Sequence, residues 1–225
     1  YRTLCKNQTH SLLLESAEID KKHLLKSLLL TDCAVKIVCH GNSVTFTPLS
    51  LNGVAAIEFA KTHLNESAIV TESPFEVDSH STVELRVTFP EIPTELDERS
   101  RLLSTNAFQS LRLFKQLDNQ NNHPFAVFLG GAFAFDMISV SEDLPEVPEG
   151  ENTCPDFVYY LAETLVIIDH ETFSTEIISN VFSGPNQAEV IKVMDARITS
   201  IQQHLSQEIN APEFRHNGTE EISVS

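Results

Sequence analysis

The chain has 225 residues, with 32 acidic against 15 basic side chains and a formal net charge of −17. That balance argues against DNA or RNA as a ligand, because gripping a phosphate backbone relies on clustered Lys and Arg to displace counterions. A hydrophobic share of 41% beside 21% charged residues is ordinary for a folded soluble protein, and the longest apolar runs, such as residues 28–30, are far too short to cross a bilayer.

Four cysteines, Cys5, Cys33, Cys39 and Cys154, form no CxxC pair and have no histidine at zinc spacing. They read as free thiols of a reducing compartment, with no metal site among them. Tyr1 is not followed by a basic stretch and an apolar segment of the secretory kind. A cytoplasmic location is expected.

In chain order, Ser11-Leu12-Leu13-Leu14 is a short apolar run that reads as a buried strand, ending at Glu15-Ser16-Ala17. Asp20 then stands where a helix cap would, and Leu24, Leu25, Leu28 and Leu29 recur at helical spacing, which predicts a helix through Leu30. Val35, Ile37 and Cys39 alternate with polar neighbours, Gly41-Asn42 offers a two-residue turn, and Val44 and Phe46 resume the alternation. That is the signature of a β-hairpin. Residues 54–64 carry Val54, Ile57, Ala60 and Leu64 on one helical face, and Val83, Leu85, Val87 and Phe89 give a strand of period two that Pro90 stops.

Residues 90–98 read as an extended acidic crossing. Thr105 can cap a helix whose stripe is Ala107, Phe108, Leu111, Phe114 and Leu117, with Arg112 off its centre. Residues 125–135 are apolar but broken by Gly130-Gly131, a pair that marks a bulge or the close approach of another backbone. An acidic loop with three prolines covers residues 142–156. Two strands follow, at 157–169 and 173–181, joined by His170-Glu171-Thr172. The first is so evenly apolar that it belongs near the centre of a sheet. Residues 186–207 place Val190, Met194, Ile198, Ile201 and Leu205 along one helical face, and from Glu208 the chain turns polar and aperiodic, as a linker would.

This order of elements lacks the regular alternation of a doubly wound sheet. It predicts an α/β chain of the α+β type, with a mixed, largely antiparallel sheet, hairpins and packed helices. Phosphate loops, zinc helices and nucleophile elbows are all missing from the sequence, and its carboxylate pairs lie in proline-rich loops. Residue chemistry alone assigns no catalytic side chain.

Several longer blocks carry more information. Leu12-Leu13-Leu14-Glu15-Ser16-Ala17-Glu18-Ile19-Asp20 resembles the LLLESA-x-ID segment of anthranilate synthase component I. Phe128 to Asp136 resembles that family's F-x-GG-x-F-x-[YF]-D, Glu142-Asp143-Leu144-Pro145 its EDLP, and Cys154-Pro155-Asp156-Phe157 with Leu161-Ala162-Glu163-Thr164-Leu165 and Ile168-Asp169-His170 completes the series in family order. The resemblance implies the N-terminal, tryptophan-sensing region of that enzyme over residues 1–207, with residues 208–225 a linker towards a C-terminal chorismate-binding domain. Aminodeoxychorismate synthase shares the fold, and a stand-alone amino-acid-binding module is a third reading.

By the same resemblance, Leu14, Glu15, Ser16 and Lys26 contribute to a pocket for L-tryptophan, the feedback inhibitor. Glu15 and the Ser16 hydroxyl suit an ammonium, Lys26 serves as the cation or as the partner of Glu15, and Leu14 lines the indole. On chemistry alone, Ser16 is a turn residue and Glu15 a solvated acid. Ala17, Arg112 and Cys154 match positions that buttress the feedback response. The implied reaction is Mg²⁺-dependent conversion of chorismate and ammonia to anthranilate and pyruvate, with a glutamine amidotransferase (component II) as the ammonia-supplying partner. The metal ligands and catalytic groups are expected outside this chain, which is expected to be inactive alone.

Overall fold

A computed structural model describes residues 3–5, 8–15, 26–93, 95–117, 123–140 and 154–207. Among them, eight strands form one sheet in which every pairing is antiparallel. The α+β class read from the element order is therefore observed.

Two long strands form the spine, β2 (Lys26–His40) and β7 (Phe157–Asp169), paired over nearly their whole length. β7 lies at the centre, as its apolar run requires. Around the spine the neighbours change. At one end β1 (Leu12–Glu15) pairs with β2 and β8 (Ser174–Ser179) with β7. At the other end β3 (Ser43–Pro48) pairs with β2 and β6 (Leu129–Phe133) with β7, and β5 (His80–Thr88) and β4 (Ile69–Val77) extend the sheet beyond β3. The exchange of partners coincides with register shifts between Leu30 and Val35 in β2.

The helix expected through Leu30 is not there. Residues 26–30 are the start of β2, flanked by β1 on one side and β7 on the other, while residues 20–25 lie outside the described residues. The leucine spacing misleads because a strand buried between two partners is apolar on both faces, and such a run also satisfies a helical template. β1 is a strand as expected, but not a buried one, since Leu13 is 39% exposed.

The β2–β3 hairpin turns at Gly41-Asn42, with Gly41 at φ 59 in the left-handed region that a first-position glycine supplies. β4 escaped the sequence reading. It is an edge strand carrying Pro74 and two glutamates, residues that blunt an edge but also hide its period. It joins β5 through Asp78-Ser79, both at positive φ, as a type I′ connection demands.

α1 (Leu51–His63) lies over the spine and starts three residues before the expected position. Ser50 caps it, its Oγ accepting from Gly53 N at 3.1 Å. Gly53 sits so close to β2 that a Cβ would lie 1.8 Å from the Ala34 carbonyl oxygen. Gly131 in β6 is a similar close approach, where a Cβ would lie 2.1 Å from Val158 O, without a bulge in its pairing.

The helix expected after Thr105 is shorter, α3 (Gln109–Phe114), because Asn106 Oδ1 captures Phe108 N at 3.0 Å in a local turn and Thr105 caps nothing. Residues 90–93 of the expected crossing carry no helix or strand, and at its end stands a short helix not read from the sequence, α2 (Glu98–Leu103), capped by Asp97, whose carboxylate accepts from Ser100 N and Oγ. α4 (Gln187–Leu205) packs against β8 and α1 through Val190, Met194 and Ile201. The acidic loop over 141–153 and the polar tail over 208–225 lie outside the described residues.

The main core gathers Phe46, Phe89, Phe114 and Phe157 with α1 and the β2, β3 and β5 side chains. Each such side chain contributes about 2 kcal/mol of apolar burial. Gly53→Ala tests how tightly α1 is seated. Helix propensity favours Ala by about 1 kcal/mol, but the clash with a backbone carbonyl cannot relax without lifting the helix, so a net loss of about 3 kcal/mol is expected from urea denaturation.

Candidate functional site

Of the residues expected to meet tryptophan, Leu14, Glu15 and Lys26 lie at the β1 and β8 end of the spine. β1 delivers Leu14 opposite Leu28 and Glu15 opposite Ser27, with Glu15 exposed and Leu14 half-buried. Ser16 and Ala17 lie outside the described residues. Lys26 is on a strand rather than a helix, in register with Asp169, and its Nζ lies 3.5 Å from the Asp169 carboxylate. The acid facing Lys26 in the structure is thus on β7.

The same end carries further polar groups. Ser27 Oγ is 2.8 Å from His170 Nε2. Asp169 accepts from Thr172 N and Glu171 N, each at 3.0 Å, and the Thr172 amide above all holds its carboxyl below the ordinary range. Beyond the turn, Phe173 takes φ 54 and is 92% exposed.

Arg112 and Cys154 are not brought to this end. Arg112 is exposed on α3, whose neighbouring Phe108 stacks edge-on with Phe133, and Cys154 is exposed just before β7 begins. The length of β7, ~40 Å at about 3.3 Å per residue, separates them from Lys26. Cys154 is the exposed exception among cysteines otherwise buried. Near it, a cavity of about 480 Å³ is lined by Gly41, Phe89, Arg101, Asn106, Met137 and Asp156, among others.

Between the two ends, where the strands exchange neighbours, the sequence reading missed a polar centre. Asp32 of β2 accepts from Arg197 Nε of α4 at 2.8 Å, from Thr31 Oγ1 at 2.8 Å and from Gln8 Nε2 at 2.6 Å. Arg197 also donates to Leu4 O. The pair thus ties α4, the N-terminal segment and the spine together.

Opposite, Glu163 of β7 is 4% exposed. Its Oε1 accepts from Ser50 Oγ, the α1 cap, at 2.8 Å. Burial, with Asp32 nearby, pushes its carboxyl up to about 7. A cavity of about 270 Å³ lies against both acids, walled by Gln8, Thr9, His10, Cys33 and Leu49. The Cys33 thiol is pushed up to about 12 by burial, and His10 is pushed down by it. One signal was present in the sequence: Glu163 is the lone charge between Phe157 and Ile168, and Asp32 the lone acid between Leu28 and Cys39. Among the described residues, no group of three His, Cys, Asp or Glu side chains is placed to hold a metal.

Arg197→Met should leave the partly buried Asp32 without its cation. A loss of about 2 kcal/mol is expected in urea denaturation, discounted from the fully buried case for the exposure of the pair. Adding Asp32→Asn should recover part of it, and a double-mutant cycle reads the coupling.

No family profile matches the chain. Curated relatives do. Anthranilate synthase component 1 of Vibrio cholerae is 37% identical over 226 aligned positions, covering 100% of this chain and 41% of the relative. Its counterpart from Escherichia coli is 40% identical over 209 positions, 92% of this chain and 38% of the relative. That from Vibrio parahaemolyticus is 39% identical over 205, covering 90% and 35%. Among solved structures, anthranilate synthase component I from Streptococcus pneumoniae overlays with a TM-score of 0.41 and 15% identity, over 88% of this chain and 32% of that one, too slight a likeness to carry an argument. The chain spans about two-fifths of the length of the curated relatives it matches. On an identity sustained from one end of the chain to the other, the sequence is placed in the anthranilate synthase component 1 family.

Proposed function

We propose that this chain is the N-terminal, tryptophan-sensing part of an anthranilate synthase component 1, and that the whole protein converts chorismate and glutamine-derived ammonia to anthranilate and pyruvate. The observation that supports this is the 37–40% identity to proteins of that name across 90–100% of the chain. Catalysis, chorismate binding and the Mg²⁺ that would neutralise the substrate's carboxylate belong to the part of the relatives' length that this chain does not span. A glutamine amidotransferase is the proposed partner, and the cytoplasm the proposed location.

In this reading the β1 and β8 end of the spine offers an amino acid complementary groups. Glu15 presents an exposed carboxylate to an ammonium, Ser16 follows it in sequence, and Leu14 supplies apolar surface. Lys26 is the donor for the ligand's carboxylate. Its present partner is surrendered at small cost, since a surface ion pair held in high dielectric and screened by salt contributes little. Ala17 adjoins this turn in sequence. Arg112 and Cys154, at the far end of β7, would influence the pocket only through the sheet or through parts of the protein outside this chain.

In the full-length protein, Ser16→Phe and Lys26→Met should each leave turnover with saturating chorismate and ammonia unchanged. Each should also weaken tryptophan inhibition at least about tenfold, equivalent to about 1.4 kcal/mol. Unaltered inhibition in either variant would remove that residue from the pocket. Chromatographic identification of the product as aminodeoxychorismate rather than anthranilate would move the protein to the related branch.

A further inference from the structure

Glu163 is more deeply buried than any function proposed above requires, and its surroundings are organised around it. Its main-chain carbonyl accepts from Asn180 N at 2.9 Å and its side chain from Ser50 Oγ. Asn52, in the first turn of α1, closes the ring by donating to Asn180 O and accepting from Phe182 N, each at 2.7 Å. Through these bonds the head of α1 is tied to the Glu163 carboxyl and the end of β8 to the Glu163 main chain and to α1.

Among the described residues, the groups facing that carboxyl bring it no positive charge. From β2 come Asp32, of like sign, and the Cys33 thiol; from α1 and β8 come the neutral Ser50, Asn52 and Asn180; the more distant Asp78 of the β4–β5 turn adds repulsion. Arg197 of α4 is already engaged by Asp32 and Leu4 O. The His10 imidazole in the cavity wall is disfavoured as a cation by burial and by Lys36. Burying a lone carboxylate in such a place is costly, and the neutral acid is the form the site accepts.

Across the cavity from Glu163 lies the segment Gln8-Thr9-His10, which continues into β1 and so to Glu15. It is pinned to the spine by Gln8 Nε2 on Asp32 and by Cys33 Sγ donating to His10 O at 3.3 Å. We propose that Glu163 is a proton-operated latch: as the neutral acid it keeps residues 8–15 and the head of α1 closed over the spine, and as the carboxylate it favours their opening to water.

The sign follows from linkage. Closed, the group keeps its proton up to about 7; opened to water, it reverts towards the ordinary 4.5. The opening equilibrium should therefore rise about tenfold per pH unit between those values, by about twentyfold from pH 5.5 to 7.5, and flatten above. The readout is amide hydrogen exchange of the full chain in residues 9–15 and 50–56, corrected for intrinsic base catalysis, with residues 44–47 of β3 as the control. Wild type should show the rise and plateau in the two test segments alone, and Glu163→Gln should be flat. If that variant does not fold, Asp32→Asn serves instead and should move the plateau to lower pH. A pH-independent wild type, a rise that survives Glu163→Gln, a plateau unmoved by Asp32→Asn, or an equal rise in β3 would each overturn the latch. No amino acid is added, so the outcome is independent of the tryptophan reading.

Discussion

The pairing of β2 with β7 is the constraint on which the rest of the structure hangs. Two strands of 15 and 13 residues cannot each keep one set of neighbours when the partners available are only four to nine residues long. The sheet solves this by exchanging partners halfway, β1 and β8 on one half, β3 and β6 on the other. Register shifts in β2 at the exchange interrupt the ladder. Ladder interruptions leave polar backbone and side chains to be satisfied by other means, and Asp32, Thr31, Glu163 and Asn180 gather there.

From that junction the helices take their positions. α1 is fixed by a cap that serves two masters, Ser50 accepting from its own helix and donating to Glu163, and by a glycine that lets its backbone rest on Ala34. α4 is fixed by Arg197 reaching Asp32. Thus the polar junction sets orientation while the apolar clusters on either side supply most of the burial, a division expected where hydrogen bonds are directional and the hydrophobic effect is not. The end of the spine carrying Glu15 and Lys26 is shallower, with exposed charges and a left-handed, exposed Phe173 at the adjoining turn.

Much of this was legible in the residues. The hairpin at Gly41-Asn42, the α1 stripe, the apolar continuity of β7 and the long α4 face all rest on local periodicity or on turn chemistry, which act over a few residues and leave their mark in order. β4 was illegible because Pro74 and its acids erase the alternation on an edge strand, and the start of β2 was misread because leucines 24 to 30 satisfy two periods at once. Of the site, Glu15 and Lys26 were named from a resemblance in sequence; that Lys26 faces Asp169, and that Arg112 and Cys154 stand at the opposite end of the sheet, could not be read from spacing.

By itself, then, the sequence determined the α+β frame and the family, because short-range periodicity and extended identity are properties of the chain read in order. Only the tertiary structure decided that residues 26–30 are a strand, that Asp32 is answered by an arginine 165 positions away, and that Glu163 is buried beside Asp32 and the α1 cap. Those depend on which distant segments meet, and the free energy of a charge is set by what surrounds it rather than by its neighbours in sequence.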